Sequence, residues 1–141
     1  MPKILIATLC DDVREEIAGK VSIMGIFNQF RVADFRSPMR PFWIYARIEF
    51  ENEGDYPITV ELRTVEGQRI FQIQSVAQLP TIPERPDRPS TRVPPVADLK
   101  FKIDNLSLPR DGLYEVAFFH NEQLLQTVQI EAVVQRPAFV Q

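Results

Sequence analysis

The 141-residue sequence predicts an all-β protein, an antiparallel β-sandwich of about eight or nine strands in one domain. Two observations carry this. Apolar residues recur with a period of two rather than 3.6, and Gly, Pro, Asn and Asp clusters punctuate them at regular intervals. No stretch has the length or period of a long helix, and a chain of this size buries a sufficient core without disulfides or metal.

The elements follow in order. Ile4–Leu9 and Val21–Phe27 are apolar with little alternation, which suits strands covered on both faces or lying at an interface. Between them, Asp12–Ile17 is expected to form one helical turn, with Asp12 as its cap and Glu15 at the third position. From Pro41 to Glu51 the alternation is clean: Phe42, Ile44, Ala46, Ile48 and Phe50 on one face, and Trp43, Tyr45, Arg47 and Glu49 on the other. Turns at Asn52–Asp55 and Glu66-Gly67 then make residues 41–79 a three-stranded antiparallel meander with one wet face. Residues 80–95 break the pattern. Pro80, Pro83, Pro86 and Pro89 keep a spacing of three, the polyproline II repeat, and Pro94-Pro95 close the segment. It reads either as a stiff crossover between sheets or as a ligand for an aromatic groove on a partner, with Pro83 and Pro86 as contacts. Alternation resumes at Ala97–Ile103, Tyr114–Phe118 and Val128–Ala132, with a hairpin turn at His120–Gln123. Gly112-Leu113-Tyr114-Glu115-Val116 follows a turn and resembles the tyrosine corner of immunoglobulin-like sandwiches, so that architecture is expected over a barrel. In such a corner Gly112 opens the strand and Tyr114 buries its ring while returning its hydroxyl to backbone.

Composition narrows the function. The net charge is −3, which disfavours nucleic acid and anionic membranes as partners. The distribution is uneven: Arg31–Arg47 holds four Arg and one Asp, whereas Glu49–Glu66 holds six acids and one Arg. A single Cys excludes an internal disulfide, and a single His excludes paired-histidine metal motifs. The start Met1-Pro2-Lys3 with a six-residue apolar run matches no signal peptide, and no run approaches a membrane span. With the free thiol at Cys10, a cytoplasmic location is expected.

Candidate chemistry is sparse. Asp11, Asp12, Glu15 and Glu16 crowd together, but without the alternation and central glycine of a calcium loop, so no metal is expected. Cys10 and His120 are a formal nucleophile and base. Two aspartates follow Cys10 and disfavour its thiolate, and His120 sits in a turn. No phosphate-cradling or hydrolase motif occurs, so neither catalysis nor a cofactor is expected. The most suggestive surface is the outward stripe Trp43, Tyr45 and Arg47, rich in the residue types of protein hot spots. It is read as covered by a second layer, as a protein interface, or as a base-stacking platform. The expected role is non-enzymatic protein binding, self-association as a homo-oligomer included. A small-ligand or carbohydrate module using the Trp-Tyr face is the alternative.

The stretch Cys10-Asp11-Asp12-Val13-Arg14-Glu15-Glu16-Ile17-Ala18-Gly19-Lys20-Val21-Ser22-Ile23-Met24-Gly25 resembles a family of small uncharacterised bacterial proteins that opens with an apolar strand and a C-D-D-x-R-x-E-x-x-G-K-x-S-x-x-G pattern. The resemblance implies a bacterial cytosolic β-sandwich and assigns no activity. Physically, Gly19 is expected to close the turn between the first two strands. Gly25 is expected to mark a bulge or a close backbone approach, and Asp11, Arg14 and Glu15 to form a local ion-pair and cap cluster that fixes the turn.

Overall fold

The computed structural model describes residues 1–79 and 93–134. Among them are nine strands: β1 (Lys3–Glu15), β2 (Val21–Phe27), β3 (Gln29–Val32), β4 (Phe42–Glu49), β5 (Gly54–Thr64), β6 (Arg69–Leu79), β7 (Val96–Ile103), β8 (Gly112–His120) and β9 (Gln123–Val134). A four-stranded sheet runs β2-β1-β4-β7, and a five-stranded sheet runs β3-β9-β8-β5-β6. Every pairing is antiparallel except β3 with β9, which is parallel.

The core lies between the sheets and is built by the alternation. Phe42, Ile44, Ala46, Ile48 and Phe50 all face it from β4 and its end, opposite Val60, Leu62, Val116 and Phe118 of the other sheet. Each large apolar side chain so buried contributes about 1.5–3 kcal/mol. The architecture is that of an immunoglobulin-like sandwich: β4 lies beside β7 in one sheet, and β5, β8 and β9 are neighbours in the other. Tyr114, near the start of β8, is 1% exposed, and its hydroxyl donates to the Arg110 carbonyl oxygen at 2.6 Å. Burial raises its pKa. This is the contact of a tyrosine corner.

Two expectations are corrected. Residues 41–79 are not one meander: β5 and β6 form a hairpin, but β4 belongs to the opposite sheet. Alternation reports which face a side chain takes, not which sheet its strand joins. The chain changes sheets over Phe50, whose buried ring stacks on Tyr56 at 4.3 Å and whose amide donates to the Pro95 carbonyl at 2.8 Å. The expected helical turn over Asp12–Ile17 is replaced by strand. Asp12, Val13, Arg14 and Glu15 pair with Met24, Ile23, Ser22 and Val21, and that ladder satisfies backbone groups a single turn would leave open. Only Ile17–Gly19 forms a 3₁₀ turn, and Asp12 does not cap it; its carboxylate accepts from Arg14 Nε at 3.0 Å instead.

The Pro-rich connection leaves β6 in the five-stranded sheet and enters β7 in the four-stranded one. Pro83 and Pro86 lie outside the described residues.

Candidate functional site

The Trp43, Tyr45 and Arg47 stripe lies on the outer face of the four-stranded sheet, and of its three readings the covered one fits: Tyr45 is 1% exposed, while Trp43 and Arg47 are half-buried. The cover is the protein's own hairpin. Beyond Cys10, β1 has no partner residue on β4, and the distal half of β1–β2 forms an arm. Val13, Val21 and Ile23 of this arm pack with Cys10, Trp43 and Tyr45 in a second apolar cluster. At the arm's tip Glu15 pairs with Lys100, which lies opposite Tyr45 on β7.

Gly25 makes this geometry accessible. Cys10 and Val13 are three residues apart yet join the same cluster, so the inside-outside alternation reverses between them. The reversal sits at Asp11, opposite Gly25, between the paired residues Cys10–Ile26 and Asp12–Met24. Gly25 has φ +69°, and a Cβ there would lie 2.8 Å from Asp11 Cγ. The N-terminal pattern thus reads as the parts of the arm. Asp12 pairs with Arg14, Ser22 Oγ donates to Glu16 Oε1 at 3.1 Å, and the Glu16 amide donates to the Lys20 carbonyl at 2.7 Å. Ala18 and Gly19 reverse the chain at φ +65° and +74°.

Under the arm lies a polar trio. Asp98 of β7, paired in register with Arg47, accepts from Arg47 Nε at 2.8 Å and from Nη2 at 3.1 Å, and also from the Tyr45 hydroxyl. Burial alone would raise the Asp98 carboxyl, but the hydrogen bonds from Arg47 and Tyr45 outweigh it and hold it below the ordinary carboxylate value. Tyr45 is pushed up to about 12, by burial first and then by the Asp98 carboxylate. Asp98 raises the guanidinium of Arg47 as well. Cys10 is fully buried, with Sγ 3.9 Å from the Trp43 carbonyl. Burial, chiefly, pushes its thiol up to about 11, with Asp11 and Asp12 adding to the rise. His120 is in the other sheet, where Nδ1–H donates to the Pro57 carbonyl at 2.9 Å and Nε2 accepts from the Asn121 side-chain amide at 3.2 Å. The structure therefore does not bring Cys10 and His120 together. Among the described residues, no group of three or more His, Cys, Asp or Glu is placed to hold a metal.

Among the described residues, two surfaces stand out. The first is the free edge of the arm. β2 is an edge strand, and Met24 and Ile26 on it are 46% and 68% exposed; Ile17 at the tip is 92% exposed. The second is a groove of about 390 Å³ where β2 passes into β3 and the chain enters β4. Phe27, Phe30 and Phe42 line it, with ring centroids 5.1–6.0 Å apart. Arg31, Arg40 and Asp11 supply its charges. Its walls are anchored: the Met39 amide donates to the Leu106 carbonyl at 2.8 Å, and the Glu131 amide to the Asn28 carbonyl at 3.1 Å. The loop before β4 holds Arg36 at φ +91°, a conformation costing about 1–3 kcal/mol that the surrounding contacts must sustain. The basic stretch Arg31–Arg47 is visible in the sequence, but the groove is not, because it is assembled from three separate segments.

A family model described as a family of unknown function (DUF6941) matches residues 5–133. The chain belongs to this family. No curated protein matches the chain. Among solved structures it is similar to the C-terminal domain of Wzt, at 12% identity and a TM-score of 0.54, covering 96% of this chain and 74% of that one. It is also similar to an immunoglobulin-like protein (PA1606) from Pseudomonas aeruginosa, at 16% identity and a TM-score of 0.44, covering 94% and 97%. At these identities the likeness is one of fold.

Proposed function

We propose that this member of the family is a non-enzymatic β-sandwich that works by binding protein, and that its first partner is a second copy of itself through the edge of β2. The observation that carries the reading is the character of that edge. β7 carries Asp98, Lys100 and Lys102, β6 carries Arg69 and β3 carries Arg31, whereas the seven residues of β2, Val21–Phe27, carry no charge. Sheet edges are ordinarily protected from pairing by charge or proline. An uncharged edge with exposed Met24 and Ile26 suits a two-fold, self-complementary strand pairing, since no charged side chain has to be buried or opposed across it. The non-enzymatic reading is supported by the uses to which Cys10 and His120 are put. One is a buried thiol with a raised pKa, and the other ties a turn to β5.

The stripe alone no longer favours a carbohydrate module, because Tyr45 presents no ring to solvent. Light scattering after size exclusion tests the reading. A dimer is expected at micromolar concentration, and Met24→Lys, at an exposed position, is expected to give a folded monomer. A wild-type chain that remains monomeric across the concentration range overturns the self-pairing.

A further inference from the structure

We propose that the groove between β2, β3 and the start of β4 is a binding site for a small organic anion: an aromatic body bearing a phosphate or carboxylate group. The argument is independent of the edge of β2 and rests on where the protein leaves its arginines unpaired. Eight arginines lie among the described residues. Arg14, Arg47, Arg63, Arg69 and Arg110 each hold a carboxylate, with Asp12, Asp98, Glu115, Glu61 and Glu66 as partners. The three that hold none, Arg31, Arg36 and Arg40, fall within ten residues of one another, and two of them line the groove. Arg31 Nε is engaged only by the neutral Gln29 side-chain oxygen, at 3.1 Å, and that contact leaves guanidinium donors free.

The rest of the groove suits the body of such a ligand. Phe27 is half-buried and packed edge-on against the buried Phe30 and Phe42, and Ile26 and the half-buried Met39 also line the groove, so one partly open aromatic ring and an apolar surface lie beside the two guanidinium groups. A planar guanidinium recognises phosphate or carboxylate through paired N–H donors and stacks on rings, and arginine does both better than lysine. A volume of about 390 Å³ falls in the range of small-molecule sites. The backbone bonds at Met39 and Asn28 hold both walls in place, so little ordering is needed on binding. Asp11 is the one acid lining the groove. It repels an anion and offers an acceptor to a donor on the same ligand, so it discriminates among anions. Glu131, across from Gln29 on β9, is turned to the side-chain amide of Gln29 at 3.5 Å.

The test is an amide-resolved NMR titration of the full chain with three probes: phenyl phosphate, inorganic phosphate and benzylamine. Phenyl phosphate is expected to give saturable shifts confined to residues 26–31 and 39–42 with a Kd in the low millimolar range or tighter. Inorganic phosphate is expected to bind at least tenfold more weakly, and benzylamine not to saturate. Arg31→Gln with Arg40→Gln, both at exposed positions, is expected to weaken phenyl phosphate at least tenfold while amides elsewhere keep their positions. Asp11→Asn is expected to tighten it severalfold. Equal binding of benzylamine and phenyl phosphate overturns the proposal, as does an undiminished affinity in the arginine variant or the absence of saturable shifts in the groove. Should the double variant lose its native spectrum, Arg40→Gln alone decides on the same criterion.

Discussion

The two outer faces of the sandwich solve the same problem in different ways. On the five-stranded sheet the outward row is charged, and its side chains look after one another. Arg63 pairs with Glu115 at 2.7 Å and lies 5.7 Å from the ring centre of Phe119, while Arg69 pairs with Glu61 at 3.4 Å. No further layer of chain is needed. On the four-stranded sheet the outward row includes Cys10, Trp43 and Tyr45, which would expose a broad apolar surface, and there the protein folds its own β1–β2 arm over them. Both rows read as the same alternation. What separates them is the size and polarity of the outward residues, so the outward aromatic marks where additional chain has to go.

This contrast can be broken most sharply at Asp98. Asp98→Ala leaves the Arg47 guanidinium and the Tyr45 hydroxyl without their shared acceptor beneath the arm, and is expected to cost about 3 kcal/mol by urea unfolding. Next is the hinge. Gly25→Val places a branched side chain at φ +69° against Asp11, with an expected cost of about 2 kcal/mol and a gain in Trp43 quenching as the arm lifts. A loss of stability with Trp43 quenching unchanged would detach the glycine from the arm.

Titration sharpens the comparison further: the arm side holds Tyr45 and Cys10, both raised, whereas the raised Tyr114 belongs to the corner of the other sheet. Tyr45 stands at about 12 against 10, and Cys10 at about 11 against 9. Folding favours the protonated form of each, so their contribution is fully present below pH 9 and is lost as pH rises through 11 to 12. Chemical denaturation from pH 8 to 12 is expected to show this loss, reduced by about 1–2 kcal/mol in Tyr45→Phe at the alkaline end. Asp98 has the opposite sign: its carboxyl is held low, so its contribution is present above its ordinary value of 3.8 and is lost as pH falls below that. The smallest effect belongs to the other face. Arg69→Gln removes an exposed guanidinium held at 3.4 Å from Glu61 and is expected to cost less than about 1 kcal/mol.

How much of this was legible in the sequence differs between the same regions. The inward row of β4, the two-residue hairpin at Asn121-Glu122 and the tyrosine corner are local, and their residue types announce them. The partition of β4 and β5 between sheets is a long-range choice made at Phe50, where neither strand shows a change of period. The arm was hidden for a different reason. Its alternation reverses at Asp11, so the run from Ile4 to Glu15 looks irregular when it is one strand with a change of face. The signal available was a glycine inside an apolar strand, directly across from an aspartate. Trp43 and Tyr45 were rightly placed on the outward face, but what covers them comes from another segment. The groove joins Asp11, residues 26–31 and residues 39–42, and no local pattern links those three.

Cys10 gives the arm a consequence of its own. The thiol is wholly enclosed, its pKa is high, and it is the chain's single cysteine. A thiol reagent can reach it only after the hairpin has lifted from the sheet, so labelling would proceed at a rate set by the population of the lifted state. The protein therefore carries a built-in chemical clock for one local opening, and it can be read on the native sequence without any mutation.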